Sequence, residues 1–208
     1  MHAIRLSRGE WGVVGFTLAY LLVAIVASLG KGNSEFLMYI GVMFVLGAVV
    51  AVVHLRVKLH LATLWALTAW GFAHMAGGLV TVPEGWPTNG DSRVLYSLWF
   101  IEGRLKYDHI VHAYGFGVTT WVCWQGIRSI LAKHGPVRPT LGLMVLSAAA
   151  GMGFGAMNEV IEFFATLLVP ETNVGGYINT GWDLVANLIG STAAALLIVV
   201  FDRRSRAD

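Results

Sequence analysis

The sequence predicts an all-α polytopic membrane protein, a six-transmembrane-helix bundle forming one domain over residues 1–208. Three observations predict it. Of the 208 residues, 56% are hydrophobic and 12% charged, with a mean hydropathy of +0.68; a soluble domain is about a quarter charged. Six apolar runs divide the chain, five of them near the roughly 20 residues that cross about 30 Å of hydrocarbon and the fifth in order long for one span. The segments between them are short, and none has the size of a soluble domain.

The first run, 11–30, follows Arg5 and Arg8. It is longer than the apolar part of a secretory leader and lacks a small-x-small cleavage site, so it reads as a retained span. The second, 36–53, has no ionisable residue in its interior; these two spans read as scaffold. The third, 61–80, ends before the turn residues Pro83, Gly85, Pro87, Asn89 and Gly90. The loop from Thr81 to Tyr107 is the longest and contains VLYSLWFI, Val94 to Ile101. That run is too short to span and is expected as a short helix packed on the bundle, with an interfacial or re-entrant piece as the alternative. The fourth run, 109–131, opens with YDHIVHAYGFG. The fifth, 141–169, contains GMGFG at Gly151–Gly155, a small-residue pattern that lets helices approach closely in lipid. The sixth is 182–201.

Orientation follows from Lys and Arg in the short loops. Ten of the 14 fall on the side of the termini, leaving Lys31, Arg93, Arg104 and Lys106 opposite. Both termini are therefore expected in the cytoplasm of a bacterial cell, in the cytoplasmic (inner) membrane. Trp11, Trp86, Trp99 and Trp182 fit interfacial belts. A net charge of +2 with basic residues in loops and tails argues against nucleic-acid binding. Cys123 is the lone cysteine, which excludes an intrachain disulfide and a cysteine-based metal site.

The polar residues inside the spans carry the chemistry. His74 lies in the third, Asp108, His109 and His112 open the fourth, Asn158, Glu159 and Glu162 lie in the fifth, and Asp183 and Asn187 open the sixth. Asp108 and His112, Asn158 and Glu162, and Asp183 and Asn187 are i,i+4 pairs that share helix faces; Glu159 and Glu162 are i,i+3. At about 1.5 Å per residue, alternating helices bring His74, Asp108, His112, Glu159, Glu162, Asp183 and Asn187 to one level in the outer half of the bilayer. His109 is expected to face the headgroups instead. A charge at mid-bilayer costs about 2.5–3.5 kcal/mol, so these groups must turn inward and meet partners. Close carboxylates repel unless protonated, paired with an imidazolium or bridged by a metal.

Three readings stay open. In the first, His74, Asp108, His112, Glu162 and Asp183 ligate a divalent metal, Zn²⁺ first, with Mn²⁺ or Fe as alternatives. Glu159 is then the general base of a hydrolase, and Arg104, Asn158 and Asn187 contact a lipid or lipid-linked substrate. In the second, the same residues carry protons or ions in a transporter or channel. In the third, they form a structural polar network in a non-catalytic envelope or antibiotic-response protein.

Four short motifs, in order, resemble a known family. They are AHMAGG (Ala73–Gly78) followed by Pro83, RLKYDHIVH (Arg104–His112), NEVIEF (Asn158–Phe163) and NTGWD (Asn179–Asp183). Together they are similar to elements of the bacterial YjdF-like inner-membrane family, over about Ala73 to Leu197. Asn179 and Gly181 stand where the family has Asp and Gln, so a site resting on this motif rests on Asp183. DLVANLIG, Asp183–Gly190, also resembles the closing motif of VanZ-like proteins. These resemblances imply a compact multi-span bundle and tilt the reading toward the cell envelope.

Overall fold

A computed structural model describes residues 6–31, 34–90, 92–169, 172 and 174–204. Arg5 and Arg206, counted above for orientation, lie outside the described residues. Six long helices form: α1 (Arg8–Lys31), α2 (Ser34–Val57), α3 (Leu61–Leu79), α4 (Tyr107–Leu131), α5 (Leu141–Leu168) and α6 (Tyr177–Arg204). They follow the six apolar runs. The main difference is α6, which begins at Tyr177 and so takes Asn179 into its first turn.

Local chemistry sets the boundaries. Ser7 and Glu10 cap α1 reciprocally: the Ser7 amide donates to Glu10 Oε2 at 2.6 Å, and the Glu10 amide to Ser7 Oγ at 3.3 Å. Thr140 Oγ1 caps α5 by accepting from the Leu143 amide at 3.4 Å. The short turn from α2 into α3 passes through Lys58 at φ 59°. There Gln125 Oε1 accepts from the His60 amide at 2.9 Å, and Gln125 Nε2 donates to Thr63 Oγ1 at 2.7 Å.

Among the described residues, four helices are long and apolar enough to cross a membrane: α1, α2, α5 and α6. The other two have a physical reason to be less apolar. α4 packs against α3, α5 and α6, and a helix surrounded by protein need not dissolve in lipid. It buries His109, His112, Thr120 and Gln125. α3 is shorter and buries Thr63, Thr68 and three glycines.

Small residues set the closest approaches. A Cβ on Gly190 would sit 1.8 Å from the Ala113 carbonyl oxygen, so α4 and α6 touch main chain to main chain. Gly151 faces Thr120 and Ser191, and Gly155 faces Asn187. The GMGFG segment is thus a packing surface, as its spacing suggests.

The Thr81–Tyr107 loop departs from expectation. Only part of VLYSLWFI is a short helix packed on the bundle, against α3 and α4. It makes a single 3-10 turn, Leu95–Ser97, and then strand β1 (Trp99–Ile101), paired antiparallel with β2 (Leu105–Lys106). Aromatic and β-branched residues favour strand, and Gly103 at φ 69° permits the reversal. Bridges Thr81–Val94 and Thr88–Leu98 tie the loop to itself.

Candidate functional site

The polar residues converge where α1, α3 and α5 end and α2, α4 and α6 begin. α4 contributes Asp108 and His112 from its first two turns, α5 contributes Asn158, Glu159 and Glu162, and α6 contributes Asn179, Asp183 and Asn187. Asp183 and Asn187 are fully buried, and His112 is 6% exposed.

His112 is the hub. Its Nδ1 lies 3.2 Å from Asn187 Oδ1 and 3.6 Å from Glu159 Oε1. An amide oxygen only accepts, so Nδ1 carries the proton and donates. In the neutral ring, Nε2 then presents a lone pair. That lone pair faces Asp108 Oδ1 at 3.6 Å and Glu162 Oε1 at 3.9 Å. Glu162 Oε1 also accepts from Asn158, and three acceptor atoms this close favour a cation between them, either a proton or a metal ion. The demand extends further: both Glu159 oxygens and Asp183 Oδ1 are buried without a hydrogen-bond partner. Two sets of potential ligands share His112, namely Asp108, His112 and Asp183, and His112, Glu159 and Glu162; within each, one atom per residue lies within 4.8 Å of the others.

A second network stands beside the hub. The Lys106 ammonium donates to Asp108 Oδ2 at 3.1 Å and to Asn179 Oδ1. Asn179 Nδ2 donates to Asp183 Oδ2 at 2.6 Å and reaches Asp108 Oδ2 at 3.5 Å. A lysine and an amide thus hold two carboxylates together. Sequence reasoning counted Lys106 only as a loop cation. Its place two residues before Asp108, at the end of the hairpin, was the available signal. Lys106 is 5% exposed.

A polar cavity of about 150 Å³ opens beside these groups. Glu35, Phe36 and Tyr39 form part of its wall with Tyr96, Asp108 and Glu162. α2 therefore supplies lining residues, which corrects the reading of the second span as scaffold; Glu35 lies at the head of that span and escaped a search of span interiors. Tyr96 Oη pairs with His74 Nδ1. Burial, and then the charges of Asp108 and Glu162, raise the Tyr96 phenol well above its ordinary pKa, so it remains a donor.

The expected site residues divide as follows. Asp108, His112, Glu159, Glu162, Asp183 and Asn187 come together. Asn158 Nδ2 donates to Glu162 Oε1 at 2.8 Å and orients that carboxylate. His74 lines the cavity but belongs to neither ligand set. Arg104 is exposed at the hairpin and does not line the cavity. His109 does not face the headgroups. It is 6% exposed, stacked on Trp182 at 6.1 Å and set edge-on to Trp99 at 6.3 Å. Its Nδ1 accepts from the Lys106 amide at 3.2 Å, which turns the ring back over the start of the helix.

Helices of this apolarity around a buried acidic and histidine site define an integral membrane protein with a polar centre. The chain belongs to the family described as Predicted membrane protein (DUF2238), whose model matches residues 12–204. No curated protein and no solved structure matches the chain.

Proposed function

We propose that the protein is a metal-dependent hydrolase of the bacterial cytoplasmic membrane, acting on a lipid or lipid-linked envelope substrate. Its six helices span the membrane with both termini in the cytoplasm, and the site opens outward. The Lys and Arg asymmetry, the membrane-protein family and the resemblance to YjdF-like and VanZ-like motifs support this setting.

One observation carries the proposal: the His112 Nε2 lone pair faces two carboxylates, with further orphaned carboxylate oxygens beside it. The mixed imidazole and carboxylate donors suit Zn²⁺, with Mn²⁺ or Fe as alternatives. His112, Asp108, Glu162 and Asp183 are the proposed ligands, and Asn187 orients the imidazole. A bound metal would supply a Lewis acid and an acidified water. Glu159, with both oxygens unpartnered, is the proposed general base. His74, tied to Tyr96 through Nδ1, leaves its other nitrogen as the polar group it offers the cavity.

Proton or ion transport would use the same facing acceptors, because a proton also resolves them. The opposite half of the bundle disfavours it. There three buried hydroxyls are committed to main-chain carbonyls: Thr120 donates to Phe116 at 2.8 Å, Ser147 to Leu143 at 2.8 Å and Ser191 to Phe116 at 3.4 Å. Ser191 ties α6 to α4, and the other two hydroxyls are spent within their own helices.

The test is metal content of detergent-purified protein by mass spectrometry, for wild type, His112→Ala and the shape-conserving Asp183→Asn. Near-stoichiometric metal in wild type, lost in folded His112→Ala and reduced in Asp183→Asn, is expected. Wild type that takes no metal after reloading would sink the hydrolase and leave transport or a structural network.

A further inference from the structure

Beside the polar cavity lies a second space. A narrow crevice of about 30 Å³ lies between α2, α3 and α5 and shares Tyr39, His74 and Glu162 with the cavity. Away from those three residues its walls are largely apolar: Val42, Met43 and Leu46 from α2, Gly71 from α3 and Ile161 from α5. The two spaces differ in character and are bounded in common by those three side chains.

We infer that the site takes a lipid with a small phosphate-bearing head, the head in the polar cavity and the acyl chain leaving sideways between α2 and α5 into the bilayer. This rests on the proposed metal site, whose ion offsets the carboxylates that would otherwise repel a phosphate. An apolar crevice bounded by the same side chains as the polar cavity selects an amphiphile, because a water-soluble ester has no use for an apolar neighbour to its site.

Size selects the head. The cavity is about 150 Å³, and a cavity of about that volume holds one benzene-sized group. A phosphate fits, whereas a disaccharide does not. Phosphate would be held by the proposed metal ion together with Lys106, a compact point charge in the cavity wall whose ammonium is shared with Asp108 and Asn179. This moves the anchoring role from the exposed Arg104 to Lys106.

The crevice also has a built-in means of widening. Gly71 leaves room that Met43 occupies; a Cβ there would meet Met43 Cε at 2.7 Å. Methionine is unbranched and flexible, and Leu46 is 38% exposed at the lipid face. An entering chain displaces these two side chains without moving a helix.

Native mass spectrometry of the full chain in detergent, loaded with Zn²⁺, tests this. The probes are phosphatidic acid, glycerol phosphate and a diglycosyl diacylglycerol. The variants are Val42→Trp and Leu46→Trp in the crevice, with Val49→Trp, 51% exposed on the same helix, as control. Wild type and Val49→Trp should retain phosphatidic acid and exclude the diglycosyl lipid. Both crevice variants should retain at least about tenfold less phosphatidic acid, which is about 1.4 kcal/mol, while still binding glycerol phosphate. Equal retention by the crevice variants would overturn the inference, as would glycerol phosphate binding as tightly as the lipid, or retention of the diglycosyl lipid. Metal content read from the same spectra separates the failures. Loaded wild type that ignores phosphatidic acid sinks the lipid assignment alone; wild type without metal sinks both.

Discussion

His112 Nδ1 and Asn187 Oδ1 stand 3.2 Å apart, joining the first turns of α4 to those of α6. The contact sets the ring's tautomer and aims Nε2 at Asp108 and Glu162. A residue that orients a metal-binding histidine contributes affinity without touching the ion. Replacing Asn187 by Ala should therefore weaken Zn²⁺ binding by about 10–100-fold while the helical circular dichroism persists. Competition with a fluorescent chelator measures this, and unchanged affinity would remove Asn187 from the site.

Lys106 is the cation that holds Asp108 and Asn179 together. Lys106→Met keeps most of the volume and leaves a buried carboxylate short of its partner. Breaking such a pair from one side costs about 3–5 kcal/mol. A lower melting temperature in metal-free detergent solution is expected, partly restored by Zn²⁺, since a ligand that binds the native state stabilises it. A melting temperature equal to wild type would show the pair to be incidental.

Tyr96 lies outside the spans, and its phenol is raised above the ordinary value. The unfolded chain releases that proton near pH 10, while the folded chain holds it. The contribution to stability is then fully present below about pH 10 and is lost as pH rises beyond it. Tyr96→Phe should flatten the loss of stability on the alkaline side. Melting curves of the two proteins across that range decide it: parallel curves would mean that Tyr96 contributes nothing to the alkaline slope.

Gly190 leaves no room for a side chain, since its Cβ would lie 1.8 Å from the Ala113 carbonyl oxygen. Main chain cannot swing aside as a side-chain tip can. Gly190→Ala should cost about 3 kcal/mol or more or abolish the folded species. Gly142 has nothing within 4 Å of the corresponding position, so Gly142→Ala should be neutral or gain up to about 1 kcal/mol from helix propensity. Size-exclusion profiles and melting temperatures of the pair make the comparison.

The site was legible wherever helical spacing alone placed a residue. Asp108 and His112, Glu159 and Glu162, and Asp183 and Asn187 were grouped by period and depth, and they meet. Residues governed by loops or helix ends were not legible. Lys106 points inward because the β1–β2 hairpin delivers it there, and no period in the sequence encodes a hairpin's exit direction. Glu35 and Tyr39 reach the cavity because α2 packs by its first turns near α3. His109 seemed free by its angle from Asp108, yet Trp99 and Trp182, distant in sequence, close over it. The helices were legible to within a few residues; the early start of α6 was not, because Tyr177–Gly181 is too polar to read as part of an apolar run.

The glycine contact between α4 and α6 has a consequence for what the site can hold. Gly190 rests on Ala113, the residue after His112, and Asn187 lies one turn away from Gly190 on the same helix. Across the gap, Gly155 rests on Asn187. At this level the spacing of the three walls is set by backbone against backbone and by backbone against a buried amide, while Trp124, Met144 and Ile198 pack the same helices together farther along. The jaws of such a vice do not flex with the rotamers of the groups they carry. Discrimination between ions of different radius would then reside in two glycines that never touch the ion.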